Sequence, residues 1–342
     1  MDQQGFGSGR RAPLPRARGP LSERLIDRLR TGGGALPAPS GFSGGPLEDE
    51  DLQLALYVCY ELHYRGFDGV PEAEEWDPLV IAFRSSLEIA FAAALFDEVS
   101  MPESLDDVAS SIRALADGGP SQLARFLEFD AGEGEFAEFL IQRSAYHLKE
   151  ADPHSWAIPR LEPRAKAKLV EIQSDEYGGG DPEWMHSRLF AKTMEALGLD
   201  PSYGAYLDRL PGSTLATVNL MSLFGLHRRW RGAIVGHLAL FEMTSVVPNR
   251  CYGNGLRRLG FDEDATRFFD EHVEADSVHE AVALEMVKAL VSEEPNLARD
   301  ALFGAKALDL VESRAGDALL RAWRSGGSSL RVPGEHLAAQ VA

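Results

Sequence analysis

A chain of 342 residues, 44% of them hydrophobic, can form one large domain or two ordinary ones, so core size is not limiting. Its 34 Lys and Arg against 53 Asp and Glu give a net charge of −19; residues 1–40 carry +4, which leaves −23 on the other 302, and a body this acidic argues against nucleic-acid binding. Cys59 and Cys251 make neither a disulfide framework nor a zinc cluster, no apolar run approaches 18 residues, and the first 30 residues lack a secretory apolar core, so the sequence reads as a soluble cytoplasmic protein with no membrane partner.

Residues 1–46 are rich in Gly, Pro, Ser and Arg, with a short helical stretch around Leu21–Leu29. This composition buries too little apolar surface to offset its ordering entropy, and the segment is expected to be a mostly disordered extension, a solubilising tail or a weak contact for a partner. From Pro46 onward helical periodicity dominates and β-type alternation is scarce. Leu52 to Leu62 starts an amphipathic helix that runs into the Gly66–Gly69 break. The pattern from Trp76 to Val99 predicts a second, with Leu79, Phe83, Leu87, Ile89 and Leu95 in its apolar stripe. Pro102 suits the first turn of a helix over Glu103–Ala116. Helices over Gln122–Phe129 and Gly134–Lys149 follow, then a loop at Asp152-Pro153-His154 and a helix over Arg164–Asp175. Gly178-Gly179-Gly180 breaks that helix, and Asp181-Pro182 opens the next, which reaches Leu197. Tyr203–Leu207, Thr214–Phe224, His227–Thr244, Arg250–Leu259, Asp264–Val291 and Asn296–Trp323 complete an all-α chain of about ten helices without internal repeat. The end, from Gly326, reads as a flexible tail, so the expected division is 1–46, a single domain over 47–325, and 326–342.

Three stretches carry chemistry. In His272-Val-Glu-Ala-Asp276-Ser-Val-His279, offsets of four and seven put two imidazoles and a carboxylate on one helical face at roughly 3.6 residues per turn. Such a stripe suits a transition metal, or forms part of a solvated acidic face with Glu271, Glu274 and Glu280. Glu176 precedes the triple glycine, and His186 lies ten residues on. The break lets both side chains turn to one point, although an ordinary helix–helix turn has the same composition. Glu150 sits at a helix C-terminus, where the macrodipole disfavours a carboxylate; this suggests a ligand, while a surface Glu is the plain alternative.

These segments, Glu150-Ala-Asp-Pro-His-Ser-Trp, Glu171-Ile-Gln-Ser-Asp-Glu176-Tyr-Gly-Gly-Gly to His186, and His272 to His279, resemble the haem-oxygenase-like di-iron oxidase and oxygenase superfamily, the iron-containing redox enzymes. The resemblance runs from about residue 50 to 320. It implies a haem-oxygenase-like helical bundle with an N-terminal helical extension. It also implies Glu150, Glu176, His186, His272, Asp276 and His279 as metal ligands for two iron ions, iron(II) or iron(III). Glu138 and Glu162 lie within reach of the Glu150 assignment. The implied activity is O2-dependent oxidation of a small amine, amino acid or fatty acid through a peroxo-diferric intermediate, with O2 as co-substrate, and an external electron donor and a homodimer as compatible partners.

Other readings remain open on the residues. Glu183-x-x-His186 and Asp276-x-x-His279 also match the acid-x-x-His pair of ferritin-like bundles, but Glu183 is favourable in a first helical turn without any metal. Glu242, inside an apolar helix with His237, needs a partner and is a second candidate for the site or its pocket. His147 and His154 flank Glu150 as supporting or surface residues, while His63 and His227 read as packed or solvated. A metal-free binding or interaction protein, and an iron store or sensor, are the competing functions.

Overall fold

The structure, a computed structural model, describes residues 11–37 and 45–332, except the side chains of 276 and 277. Helices begin where the sequence supplies acceptors for the first free N–H groups. Asp49 accepts from Asp51 and Leu52, Asp77 from Leu79 and Val80, Asp107 from Ser110, and Ser121 from Ala124. Among the described residues there are fourteen α-helices and no strand. They are α1 (Pro20–Thr31), α2 (Glu50–Glu61), α3 (Pro78–Glu98), α4 (Val108–Ala116), α5 (Gln122–Phe129), α6 (Glu133–His147) and α7 (Asp152–Ser155). The second half holds α8 (Pro163–Glu176), α9 (His186–Ala196), α10 (Gly212–Leu226), α11 (Arg231–Met243), α12 (Val246–Arg258), α13 (Glu263–Glu293) and α14 (Ala298–Arg324).

The centre of the bundle is built from α10 and α11, both buried along most of their length, with α14 laid against α11. Small residues let these last two backbones meet. A Cβ on Gly236 would stand 1.8 Å from the Ala301 carbonyl oxygen, and one on Gly304 would stand 1.9 Å from that of Ala233. Apolar burial divides into two clusters. A larger one gathers α2, α3, α8, α10, α11 and α14, and a smaller one gathers α5, α9, α12 and the first turns of α13. Helix α13 runs through both: Ala265, Phe268 and Phe269 belong to the smaller cluster, and Val282, Ala283, Met286 and Val287 to the larger. The residues between, 272–279, fall at the seam.

Several expectations change. The Gly- and Arg-rich start is folded where described: Leu25, Ile26 and Leu29 of α1 are buried, and Asp51 accepts from the Leu21 and Ser22 N–H groups at 2.8 Å. Composition hid a short apolar stripe whose Arg neighbours pair with the acidic body, as in Arg18–Glu50 (2.6 Å) and Arg28–Asp77 (3.0 Å). Residues 326–332 also pack: Leu330 is buried, and the Arg331 N–H donates to the Arg209 carbonyl at 2.8 Å. Residues 1–10, 38–44 and 333–342 lie outside the described residues. Helix α4 starts at Val108 because Asp107 caps it, not at Pro102. Helix α3, with a mean hydropathy of 1.8, is by length and composition long and apolar enough to cross a membrane, against the expectation of no such run. It packs on α2 and carries an Arg84–Glu88 ion pair, with the Glu88 side chain buried.

Candidate metal centre

The ends of α6, α8 and α9 each place one side chain at the seam, and α11 and α13 supply the others. Helix α6 stops at His147, and the turn after it brings Glu150 inward, 4% exposed. That turn is held from both sides. Ala151 takes φ 72°, alone among described non-glycine residues in its left-handed backbone, and Gln173 of α8 donates to its carbonyl at 2.8 Å. Lys149, fully buried, pairs with Glu61 at 3.1 Å, and Glu61 also accepts from Tyr203 at 2.5 Å. Glu176 is the last residue of α8 and His186 the first of α9. Gly178, Gly179 and Gly180 between them all have positive φ, and a Cβ on Gly178 would meet the Trp184 backbone at 2.6 Å, so this reversal requires glycine. His272 and His279 project from α13, and Glu242 from α11.

The donor atoms fall into two groups, each with all its atoms within 4.8 Å of one another: Glu150, Glu176, His186 and His272; and Glu176, Glu242 and His279. All six residues are buried. The His186 Nδ1 and Glu176 Oε2 atoms stand 2.9 Å apart without hydrogen-bond geometry between them, and both count among the buried atoms without a partner, as does Glu150 Oε2. Buried groups of this kind are normally satisfied, and an ion bound between them would satisfy all three. The chemistry of the set, imidazole with carboxylate, suits iron or manganese. Glu176 is common to both groups.

Outer partners fix the imidazoles. His272 Nδ1–H donates to the Phe268 carbonyl at 2.7 Å, which makes Nε2, 3.6 Å from Glu150 Oε1, the lone-pair nitrogen of the ring. His279 has Asp175 Oδ2 3.0 Å from Nε2 and Glu242 Oε2 3.2 Å from Nδ1. Burial alone would push the Glu150 carboxyl up. His147, hydrogen-bonded to it at 2.8 Å, and His272 outweigh burial and hold it well below the usual carboxylate range. Burial also raises the Tyr146 phenol beside the same carboxylates, keeping it protonated.

Of the residues expected from sequence, Glu150, Glu176, His186, His272 and His279 come together. The side chain of Asp276 lies outside the described residues. Glu138 is taken up by Trp323, Ser328 and Ser329. Glu162 is exposed at the start of α8, and Glu183 is exposed and pairs with Lys192 at 2.9 Å, so neither reaches the seam. His63 pairs with Glu75 and His227 with Glu88, away from the centre. Glu242, a carboxylate inside an apolar helix, is buried with its Oε2 3.2 Å from His279 Nδ1. A cavity of about 500 Å³ includes Glu150 and His272 in its wall, with Phe139, Phe190, Tyr252 and Phe269. A second, of about 10 Å³, touches Glu150, Glu176, His154 and Gln173.

The sequence pattern of a family described as iron-containing redox enzymes matches residues 137–312, which hold every residue of both donor groups. A stretch of 154 residues is 29% identical to nitrosourea synthase of Streptomyces achromogenes subsp. streptozoticus and covers 45% of this chain. That stretch corresponds to 33% of the relative's length.

Proposed function

The chain belongs to the iron-containing redox enzyme family, and from that premise we propose that it is a non-haem di-iron oxidase or oxygenase using O2 on a small organic substrate. The observation that carries this reading is the pair of buried donor groups sharing Glu176, with atoms left unsatisfied in the protein itself. In this reading Glu150, His186 and His272 would hold one ion and Glu242 and His279 the other, with Glu176 shared between the two groups and Asp276 joining from α13. Two iron ions so held would supply the electrons for O2 activation and the oxidising power for the substrate.

The protein's own part is to bind, orient and shield. The Phe268 carbonyl and Asp175 set the ring orientations of His272 and His279, so the lone pairs are aimed before metal arrives. The apolar clusters on either side of the seam keep bulk water out. The 500 Å³ cavity, reaching Glu150 and His272 past aromatic rings, is where a small substrate would lie. An amine, amino acid or fatty acid fits this scheme; the nitrosourea synthase, by its name a maker of an N-nitroso compound, favours a nitrogen-bearing one. An external electron donor would balance reactions that take fewer electrons from the substrate than O2 accepts.

Elemental analysis after anaerobic iron(II) loading tests the reading. About two irons per chain, falling in His272→Ala, are expected of a carboxylate–imidazole site of this size. Absence of bound iron in the wild type would leave a metal-free binding protein. Bound iron without O2 consumption in the presence of any amine, amino acid or fatty acid would leave storage or sensing.

A further inference from the structure

Four buried polar atoms without a hydrogen-bond partner belong to residues lining one cavity of about 10 Å³: Glu150 Oε2, Glu176 Oε2, His154 Nδ1 and Gln173 Oε1. The first two belong to the donor groups. His154 belongs to neither group, and Gln173 commits its Nε2 to the Ala151 carbonyl at 2.8 Å and to Ser155 Oγ at 2.7 Å. Because a carbonyl only accepts, those bonds fix the amide orientation and leave Oε1 as a bare acceptor. His154 is 1% exposed and Gln173 3%, so outside solvent does not satisfy either. The other imidazole nitrogen of His154, Nε2, lies 3.1 Å from Nδ1 of His237, which is itself fully buried and has no partner at Nε2.

The space suits one water molecule, and the polar atoms dictate how it sits. Gln173 Oε1 and an ionised carboxylate oxygen can only accept. A water donating to Gln173 and to one carboxylate must receive its remaining bond, and of the four unpartnered lining atoms His154 Nδ1 is the one able to give it. Nδ1–H on His154 makes its Nε2 an acceptor, which requires Nδ1–H on His237. The order ends in a bare lone pair at His237 Nε2, on a ring whose aromatic neighbours include Phe224 and Phe241, and an unmet acceptor is the more tolerable of the two possible ends.

We propose that this cavity binds one water between Gln173 Oε1 and His154 Nδ1–H, and that His237 sets the His154 tautomer. Both imidazoles are then neutral Nδ1–H forms. Burial supports neutrality, pulling His154 down to about 4 and His237 well below its ordinary value. The catalytic meaning rests on the iron-centre reading: the pair gives that centre an uncharged, proton-bearing neighbour anchored outside the ligand set. Here His154 is the group that touches the water, and His237 is a positioning residue acting through it.

The test uses the full chain with nitrogen-15 histidine, its metal removed by chelation and the removal checked by elemental analysis. Long-range proton–nitrogen correlations separate the two neutral tautomers, with His154→Gln and His237→Asn assigning the signals. Nδ1–H at both residues is expected, with a cross-relaxation contact from bound water to the His154 Nδ1 proton that Gln173→Leu abolishes. His237→Asn, whose amide N–H can replace the lost donor, should keep His154 as Nδ1–H, whereas His237→Leu should release it. Nε2–H at His154 in the wild type, or a water contact absent there or unchanged in Gln173→Leu, overturns the proposal. Because these signals come from metal-free protein, failure of iron binding would sink the functional reading and leave the tautomer result standing.

Discussion

At the scale of single residues, Glu242 and the histidine pair separate what a motif can say from what burial adds. The His272-x3-Asp-x2-His279 spacing marks α13 from sequence alone, because three offsets on one helix are fixed by its geometry. Glu242 comes from another helix, and only the bundle brings it within reach of His279. Glu242→Ala removes a donor from the second group and none from the first. Iron content after loading should fall from about two to about one per chain; a variant that still binds two would remove Glu242 from the ligand set. His154 and His237 supply a pH prediction. Their folded values lie below that of a free imidazole, chiefly through burial. The unfolded chain therefore takes up protons near pH 6.5 that the folded chain refuses, so the stability held above that pH is lost as pH falls toward 4. For His154 alone the loss by about pH 4 is on the order of 3 kcal/mol. Urea unfolding of metal-free protein at pH 7 and 4.5 should show a smaller drop for His237→Asn than for the wild type, and equal drops would count against the neutral pair.

At the scale of helices, close approach decides between two glycines that look alike in sequence. Both Gly134 and Gly236 lie inside helices, where alanine is intrinsically better by up to about 1 kcal/mol. A Cβ on Gly134 meets nothing within 4 Å, so Gly134→Ala should hold or raise the urea midpoint. On Gly236 it would enter the Ala301 carbonyl, backbone that cannot step aside without moving α14. Overpacking of about 1–3 kcal/mol or more outweighs the propensity gain, and Gly236→Ala should lower the midpoint clearly. Helix identity was largely legible, because apolar periodicity over long segments such as Asp264–Val291 leaves little choice. The Glu176–His186 reversal was legible too, since three consecutive glycines have few other uses. What stayed hidden was packing: the left-handed Ala151, the Lys149–Glu61 pair beside Glu150 and the α11–α14 contact depend on partners far along the chain. Lys149 and Glu61 carry their own consequence. Breaking one side of a fully buried ion pair strands the other charge, so Glu61→Gln should cost about 3–5 kcal/mol. Replacing both by Met should cost much less, and a double-mutant cycle on unfolding free energies measures the difference; additive losses would mean the two charges do not depend on each other.

Over the whole molecule, charge segregation turns out to be a packing device. The first forty residues carry +4 against an acidic body, a pattern that reads as a solvated tail when composition is taken alone. In the folded chain Arg11, Arg16, Arg18 and Arg28 of this segment pair with carboxylates of the body. Arg18 lies 1% exposed against Glu50, which also takes Arg331 at 2.9 Å from the other end of the chain, and Arg28 pairs with Asp77 at the start of α3. One carboxylate on α2 thereby holds Arg18 and Arg331, from opposite ends of the described chain, in the same place. Composition misled because a mean over forty residues dilutes four apolar side chains spaced to share one face, Leu21, Leu25, Ile26 and Leu29. The two descriptions make opposite predictions for Leu25→Ala. In a detached extension the substitution would change stability by no more than about 0.5 kcal/mol, as at other surface positions. As a side chain with no exposed surface in the main apolar cluster, Leu25 should cost about 2–5 kcal/mol when cut back. Unfolding in urea followed by tryptophan fluorescence decides between them, since every tryptophan lies beyond α1 and reports the body. A single transition shifted to lower urea would mean that α1 unfolds with the bundle, whereas an unmoved transition would return the segment to the status of a tail.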